Sequence, residues 1–194
     1  MESHSLIQYP RNRVVRAILR MVGRLLLAIF ARINIIGREN LPRKGPAILA
    51  GNHVAIMEAV MMAVYPPVTV EFLGTGDIPI DPKFAWLANI YQFIPIKRGS
   101  IDRTGIKVAV DILKQGGVIG IFPQGGIWDA AAQQGRIGTA LLSHLGNSPV
   151  IPIGFGGMKG ALIDILKFKR PLLTMNVGAS LPVIDLNNES TSRK

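Results

Sequence analysis

The chain has 194 residues, enough for one domain with a real hydrophobic core. It contains no cysteine, which excludes disulfides, thiolate catalysis and cysteine-ligated metals. Its net charge of +10 is uneven: residues 1–44 carry nine Lys/Arg against Glu2 and Glu39, or +7, and the remainder only +3. That asymmetry calls for an anionic partner, either nucleic acid or an anionic membrane surface. Although 48% of the residues are apolar, no stretch approaches the roughly 18–20 uncharged residues of a membrane span. The longest, Leu25 to Ala31, is bounded by Arg24 and Arg32. No signal peptide stands out, because arginines run through the apolar region and no clean cleavage site follows.

From Arg13 to about Ala31 the periodicity predicts a helix. At about 100° per residue, Arg13, Arg16, Arg20 and Arg24 share an arc of roughly 80°. Val14, Ile18, Met21, Val22, Leu25, Leu26 and Ile29 cover much of the rest. A broad apolar face beside an arginine stripe suits a helix lying in a membrane interface, its guanidinium heads on lipid phosphates. The alternative is a helix packed on the domain's own core with a solvated arginine face. Nucleic acid is not expected, since aromatics for base stacking are few and no binding motif occurs.

After Gly37, short apolar runs alternate with helical patterns. Ile33–Ile36, Ala47–Ala50, Val68–Leu73, Phe93–Ile96, Val118–Phe122, Val150–Ile153 and Leu173–Val177 read as strands. Ile56–Val64, Phe84–Phe93 and Arg136–Leu145 read as helices. Asp102 can cap a further helix with Ile106, Ala109, Val110 and Leu113 inward, ending at Gly116-Gly117. Strands apolar throughout and separated by helices predict an α/β domain, its mostly parallel sheet covered by helices on both faces. An amphipathic N-terminal helix precedes it. The expected organisation is an interfacial segment at 1–32, the α/β domain at 33–185, and a polar, disordered tail at 186–194.

In such folds chemistry gathers where strands end. His53 follows the apolar run Gly45–Gly51, and Glu58 stands five residues on, at the start of a helix. A neutral imidazole can take a hydroxyl proton while a carboxylate fixes its tautomer. Three other strand ends carry Ile94-Pro95-Ile96-Lys97-Arg98-Gly99, Ile121-Phe122-Pro123-Gln124-Gly125-Gly126 and Val150-Ile151-Pro152-Ile153-Gly154. Singly, each is as well read as a strand exit, and Arg98 as a solvated charge. No phosphate-binding loop or nucleophile elbow occurs. With His4, His53 and His144 scattered, no metal site is expected. The cluster Lys159, Lys167, Lys169 and Arg170 beside Leu166 and Phe168 is a solvated rim or a second contact with lipid headgroups.

Together, in order and spacing, Asn52–Glu58, Phe93–Gly99, Phe122–Gly126 and Val150–Ile153 resemble the four blocks of the glycerolipid acyltransferases. That family esterifies glycerol 3-phosphate and 1-acylglycerol-3-phosphate, and its blocks are NHxxxxD, an apolar strand ending in Arg-Gly, FPEGTRS and a VPV-type run. Gly37–Pro46 is similar to the family's lead-in, and Arg136-Ile137-Gly138 to its Lys-x-Gly. The likeness covers about residues 33 to 182.

It implies an O-acyltransferase that moves a fatty acyl group from acyl-CoA or acyl carrier protein to a lysophospholipid-like hydroxyl. Either thioester is a co-substrate, and no cofactor is implied. His53 would be the general base and Glu58 its support. Asn52, Arg98, Gly99, Pro123, Gln124, Gly125 and Gly126 would surround the substrates, with Arg98 on the acceptor's phosphate. Backbone N–H groups near Gly125-Gly126 would face the oxyanion, and the fourth block would be a core strand or line the acyl channel. A peripheral or monotopic protein on the cytoplasmic side of the membrane is implied.

Glu58 stands where the family has aspartate, Gln124 where it has glutamate, and Gly126-Ile127-Trp128 where it has Thr-Arg-Ser. The family's lysine before the second block has no counterpart around Gly74–Asp77. These departures keep two alternatives open: a lipid alcohol without phosphate as acceptor, and a non-catalytic lipid-binding relative.

Overall fold

The computed structural model describes residues 7–75, 90–96, 102–123 and 138–186. In chain order the elements are α1 (Arg13–Phe30), β1 (Arg32–Ile36), a 3-10 turn at Arg38–Asn40, β2 (Ala47–Gly51), α2 (Met57–Val64), β3 (Val70–Thr75) and β4 (Ile94–Ile96). Next come α3 (Arg103–Lys114), β5 (Val118–Ile121), α4 (Gly138–Gly146), β6 (Val150–Gly156), α5 (Ala161–Leu166) and β7 (Leu172–Val177). The strands form one sheet in the order β1-β7-β6-β2-β5-β3-β4. Five neighbours from β6 to β4 run parallel, and the antiparallel β6–β7 pair reverses the direction for β7 and β1. The predicted helix over Phe84–Phe93 lies outside the described residues except at its end, where residues 90–91 are helical. The start of the predicted helix at Arg136 and the tail beyond Leu186 also lie outside them.

The unbroken apolar runs have a simple cause, since a parallel strand covered on both faces has no polar side. Successive residues of β2 point to opposite layers. Leu49 enters a core shared with Met57, Met61 and Met62 of α2 and Leu173 and Met175 of β7. Ile48 enters the other, with Ala109, Ile112 and Leu113 of α3 and Leu142 of α4. In α3 it is Ile112, with Ala109 and Leu113, that is fully buried, whereas Ile106 and Val110 sit at the margin. The Asp102 cap forms as expected, its carboxylate accepting from the Thr104 and Gly105 amides at 3.0 and 3.1 Å.

Helix α1 overturns part of the sequence reading. Its arginine stripe faces the domain, and its apolar stripe faces out. The cause is a set of acceptors on the domain side, Glu71 and the carbonyls of Tyr91 and Val64 to Pro66. Arg16 is fully buried, and its guanidinium meets Glu71 of β3 at 2.5 and 3.0 Å and the Tyr91 carbonyl at 2.7 Å. Arg16 therefore cannot touch lipid, contrary to its expected membrane contact. Arg20 donates to the Pro66 carbonyl, and Arg24 to Val64 at 2.8 Å and Tyr65 at 3.2 Å. Both guanidinium groups thus sit where α2 leaves carbonyls unsatisfied and its dipole favours cations. Among the described residues, Arg13 alone of the four stays exposed without such a bond. Between these arginines Gly23 lets α1 cross α2 closely, since a Cβ there would lie 2.8 Å from a Val64 methyl. Outward point Val14, Ile18, Met21, Val22, Leu25, Leu26 and Ile29, all exposed. No described helix is long and apolar enough to cross a membrane.

Candidate active site

Strand β2 lies near the middle of the sheet, between β6 and β5, and ends at Gly51. A side chain at Gly51 would collide with Met62 and Phe155, each 2.8 Å from its Cβ. Glycine there lets the layers close behind the next two residues. Asn52 follows and clamps the strand end to β6: its Oδ1 accepts from the Phe155 amide at 2.6 Å, and its Nδ2 donates to the Phe155 carbonyl at 3.3 Å. With its amide engaged on backbone, Asn52 acts first as a brace for the residue beside it.

That residue is His53. Its ring stacks on Phe122, which follows β5, with centroids 4.0 Å apart and planes 16° from parallel. Phe122 stacks in turn over Phe72 of β3, so the imidazole rests on a ladder of rings rooted in the core. The side chain is 14% exposed. Its Nδ1 is buried, forms no hydrogen bond among the described residues, and lies 3.7 Å from Glu58 Oε2.

Glu58 is wholly buried in the first turn of α2. Its carboxylate accepts from the backbone amides of Val54 and Ala55, in three contacts of 3.0 Å. A carboxylate offers about four lone-pair positions. Two amides engage it, Ala55 N–H shared between both oxygens, and Oε2 keeps acceptor capacity on the side of the imidazole. The loop Asn52–Ile56 is thus folded around the acid, which explains why the acid sits five residues after the histidine and at a helix N-terminus. There the free amides and the helix dipole stabilise a negative charge without a counter-ion. A carboxylate opposite Nδ1 favours the tautomer with hydrogen on Nδ1, which leaves Nε2 with its lone pair free as a base. Substituting imidazole motion of under 1 Å for the present gap would complete the Nδ1–H bond.

Of the other expected site residues, Pro123 is described, half-buried directly after Phe122. Arg98, Gly99, Gln124, Gly125 and Gly126 lie outside the described residues. The strands that lead to them, β4 and β5, end on the same side of the sheet as β2, because all three run parallel. Sequence reasoning gave no part to the Phe122 ring under His53 or to Phe155 beyond it. Nothing in their spacing distinguishes them from core residues. Among the described residues no group of acids and histidines could hold a metal ion.

Residues 32–184 match the profile of a family described as Acyltransferase. A 1-acyl-sn-glycerol-3-phosphate acyltransferase of Bacillus subtilis (strain 168) is 23% identical over 137 residues, which is 69% of this chain and 67% of that protein. The crystal structure of a 1-acyl-sn-glycerophosphate (LPA) acyltransferase from Thermotoga maritima superposes with a TM-score of 0.67 at 17% identity. That match covers 96% of this chain and 78% of the other, a likeness of fold.

Proposed function

The chain belongs to the acyltransferase family, enzymes that move acyl groups onto a lipid alcohol, and we propose that its acceptor is a lysophospholipid, 1-acylglycerol-3-phosphate by default. The donor is acyl-CoA or an acyl carrier protein. The observation that carries this reading is the buried, braced pair of His53 and Glu58 at the end of β2.

In the proposed reaction His53 Nε2 removes the proton from the acceptor hydroxyl as its oxygen attacks the thioester carbonyl. Glu58 offsets the positive charge that develops on the ring and holds it in register. The tetrahedral intermediate then collapses, breaking the C–S bond, and the imidazolium returns its proton to the departing thiolate. The products are an ester and a free thiol. Arg98 is assigned to the acceptor's phosphate, which its planar fork can grip through two hydrogen bonds. Asn52, Gly99, Pro123, Gln124, Gly125 and Gly126 are assigned to the walls around the two substrates.

A second reading, an acceptor without phosphate, is favoured by Gln124 and Gly126 standing where charged and hydroxyl side chains are usual in the resembled blocks. The exposed apolar stripe of α1 supports a peripheral or monotopic seat on a membrane, where either acceptor would reside.

Thiol release from acyl-CoA and acyl carrier protein donors, measured over a panel of lysophospholipids and monoacylglycerols, tests both readings. Equal rates for wild type and His53→Ala on every acceptor would remove His53 from the mechanism. Turnover with monoacylglycerol alone would select the second reading. Lipid retained through purification with no turnover on any acceptor would favour a non-catalytic lipid binder.

A further inference from the structure

We propose that the turn Lys167–Pro171, between α5 and β7, is a second membrane anchor that pins the C-terminal end of α1 to an anionic lipid surface. The proposal rests on the membrane seat of α1 put forward above, and adds to it a site and an orientation.

The turn closes α5 in a Schellman arrangement. The Lys169 amide donates to the Asp164 carbonyl at 2.9 Å, and the Phe168 amide to the Ile165 carbonyl at 3.0 Å. The residue between, Phe168, takes the left-handed conformation at φ 58°. Glycine is usual at that position, because any Cβ is strained there. A phenylalanine is the more unusual because its side chain is 74% exposed. Its ring gains little in return, with an edge contact to Phe30 at 5.5 Å. Arg170, two residues on, is also left-handed at φ 48°. The fold therefore tolerates a strained backbone to hold an aromatic ring out in water, where burial gives it no reward.

The surroundings name the occupant. Phe30 is the last residue of α1 and follows Val22 and Leu26 at four-residue spacing, so Phe168, edge-on to Phe30, extends that exposed row past the helix end. The turn is clipped to that end: Arg170 donates to the Ala28 carbonyl at 3.4 Å, and Arg32 to the Arg170 carbonyl at 3.3 Å. Four exposed cations, Arg32, Lys167, Lys169 and Arg170, thus ring the aromatic, with Asp164 the acid beside them, bridged to Lys169 at 3.1 Å. An apolar strip along a helix, ended by an aromatic in a collar of cations, matches acyl chains beneath a layer of phosphates. A protein groove would be the better fit for the strip alone, but it gives the collar no counter-charge.

The test uses the full chain and sedimentation with vesicles of phosphatidylcholine, with and without phosphatidylglycerol. Phe168→Gly relieves the strained position, so its melting temperature should equal or exceed that of wild type. Its partitioning onto the anionic vesicles should nonetheless fall about tenfold, the loss expected for one inserted aromatic. Leu25→Glu, in the α1 strip, should lose binding almost completely. If Leu25→Glu loses binding while Phe168→Gly binds like wild type, the second anchor is refuted and the α1 seat survives. If wild type binds neither vesicle, the seat fails and the anchor with it. A wild-type dimer in solution that Phe168→Gly dissociates would reassign the surface to a second copy of the chain and overturn the proposal.

Discussion

Glu71 and Glu58 are both buried completely, and their carboxyl groups are satisfied in opposite ways. Glu71 sits on β3 between two guanidinium groups: Arg16 meets both its oxygens, and Arg11 reaches Oε2 at 2.6 and 3.0 Å. Arg11 and Arg16 go on to the carbonyls of Gln92 and Tyr91, and the Arg16 guanidinium lies 4.6 Å over the Tyr91 ring. Every direction around that acid is occupied by a fixed cation or its ties. Glu58 meets no cationic side chain among the described residues. Neutral backbone amides hold it, and its one remaining direction ends 3.7 Å short of an imidazole. A saturated carboxylate can only hold the fold together. One held by dipoles and left a single unmet acceptor can answer to a proton arriving on its neighbour.

The contrast can be broken experimentally. The largest effect is expected at the neighbour: His53→Ala should lower turnover on the order of 10²–10⁴-fold, as loss of a general base does. Its melting temperature should fall only modestly, because the truncation also removes the ring stacked on Phe122. Next, Glu71→Ala leaves the buried Arg16 guanidinium, and the partly exposed one of Arg11, without their acid and should cost about 3–5 kcal/mol in chemical denaturation. Glu58→Gln keeps the shape but supplies the wrong charge and an ambiguous tautomer, and turnover should fall on the order of 10²-fold with a changed pH–rate profile. Its stability loss should stay near ~1 kcal/mol, the scale of one altered hydrogen bond. If Glu58→Gln unfolds the protein as readily as Glu71→Ala, the two acids are alike and the distinction collapses.

The smallest effect sharpens the Glu71 side. Burial raises the Tyr91 hydroxyl above its ordinary 10.0, opposed by Arg16, and that hydroxyl donates to the Val70 carbonyl at 2.6 Å. Above pH 10 the unfolded chain loses a proton that the folded chain keeps, so the unfolded state binds fewer protons and stability falls as pH rises. Tyr91→Phe should cost about 1 kcal/mol at neutral pH. Denaturation curves taken above pH 10 should then show a shallower alkaline decline than wild type.

The strands were legible because β2, β5 and β6 are apolar on both sides, a pattern that needs no partner to be recognised. His53 was legible because it stands where such a run ends. The orientation of α1 was not. Periodicity separates an arginine face from an apolar face, but which one turns inward depends on Glu71 and on the open carbonyls of α2, both distant in sequence. Glu71 lies inside the strand predicted over Val68–Leu73, and its two guanidinium partners became visible only in three dimensions. The distance between His53 and Glu58 was equally beyond reach, since it is set by how Val54 and Ala55 wrap around the carboxylate. So was the stacked Phe122, which comes from a strand paired beside β2 in the sheet.

The position of β1 at the sheet edge carries a consequence in time. Its ladder is with β7 alone, Arg32 opposite Leu172 through Ile36 opposite Asn176. A ribosome delivers β1 before every other described strand and its partner β7 after them. Throughout that interval α1 is tethered to an unpaired strand, held by its ties to Glu71 and the end of α2 once these have emerged. Contacts so remote in sequence form slowly, and an exposed apolar helix on an unfinished sheet invites aggregation. The nascent chain therefore gains from early capture of α1, and a truncation before β7 should leave β1 unpaired while α1 keeps its ties to β3 and the end of α2.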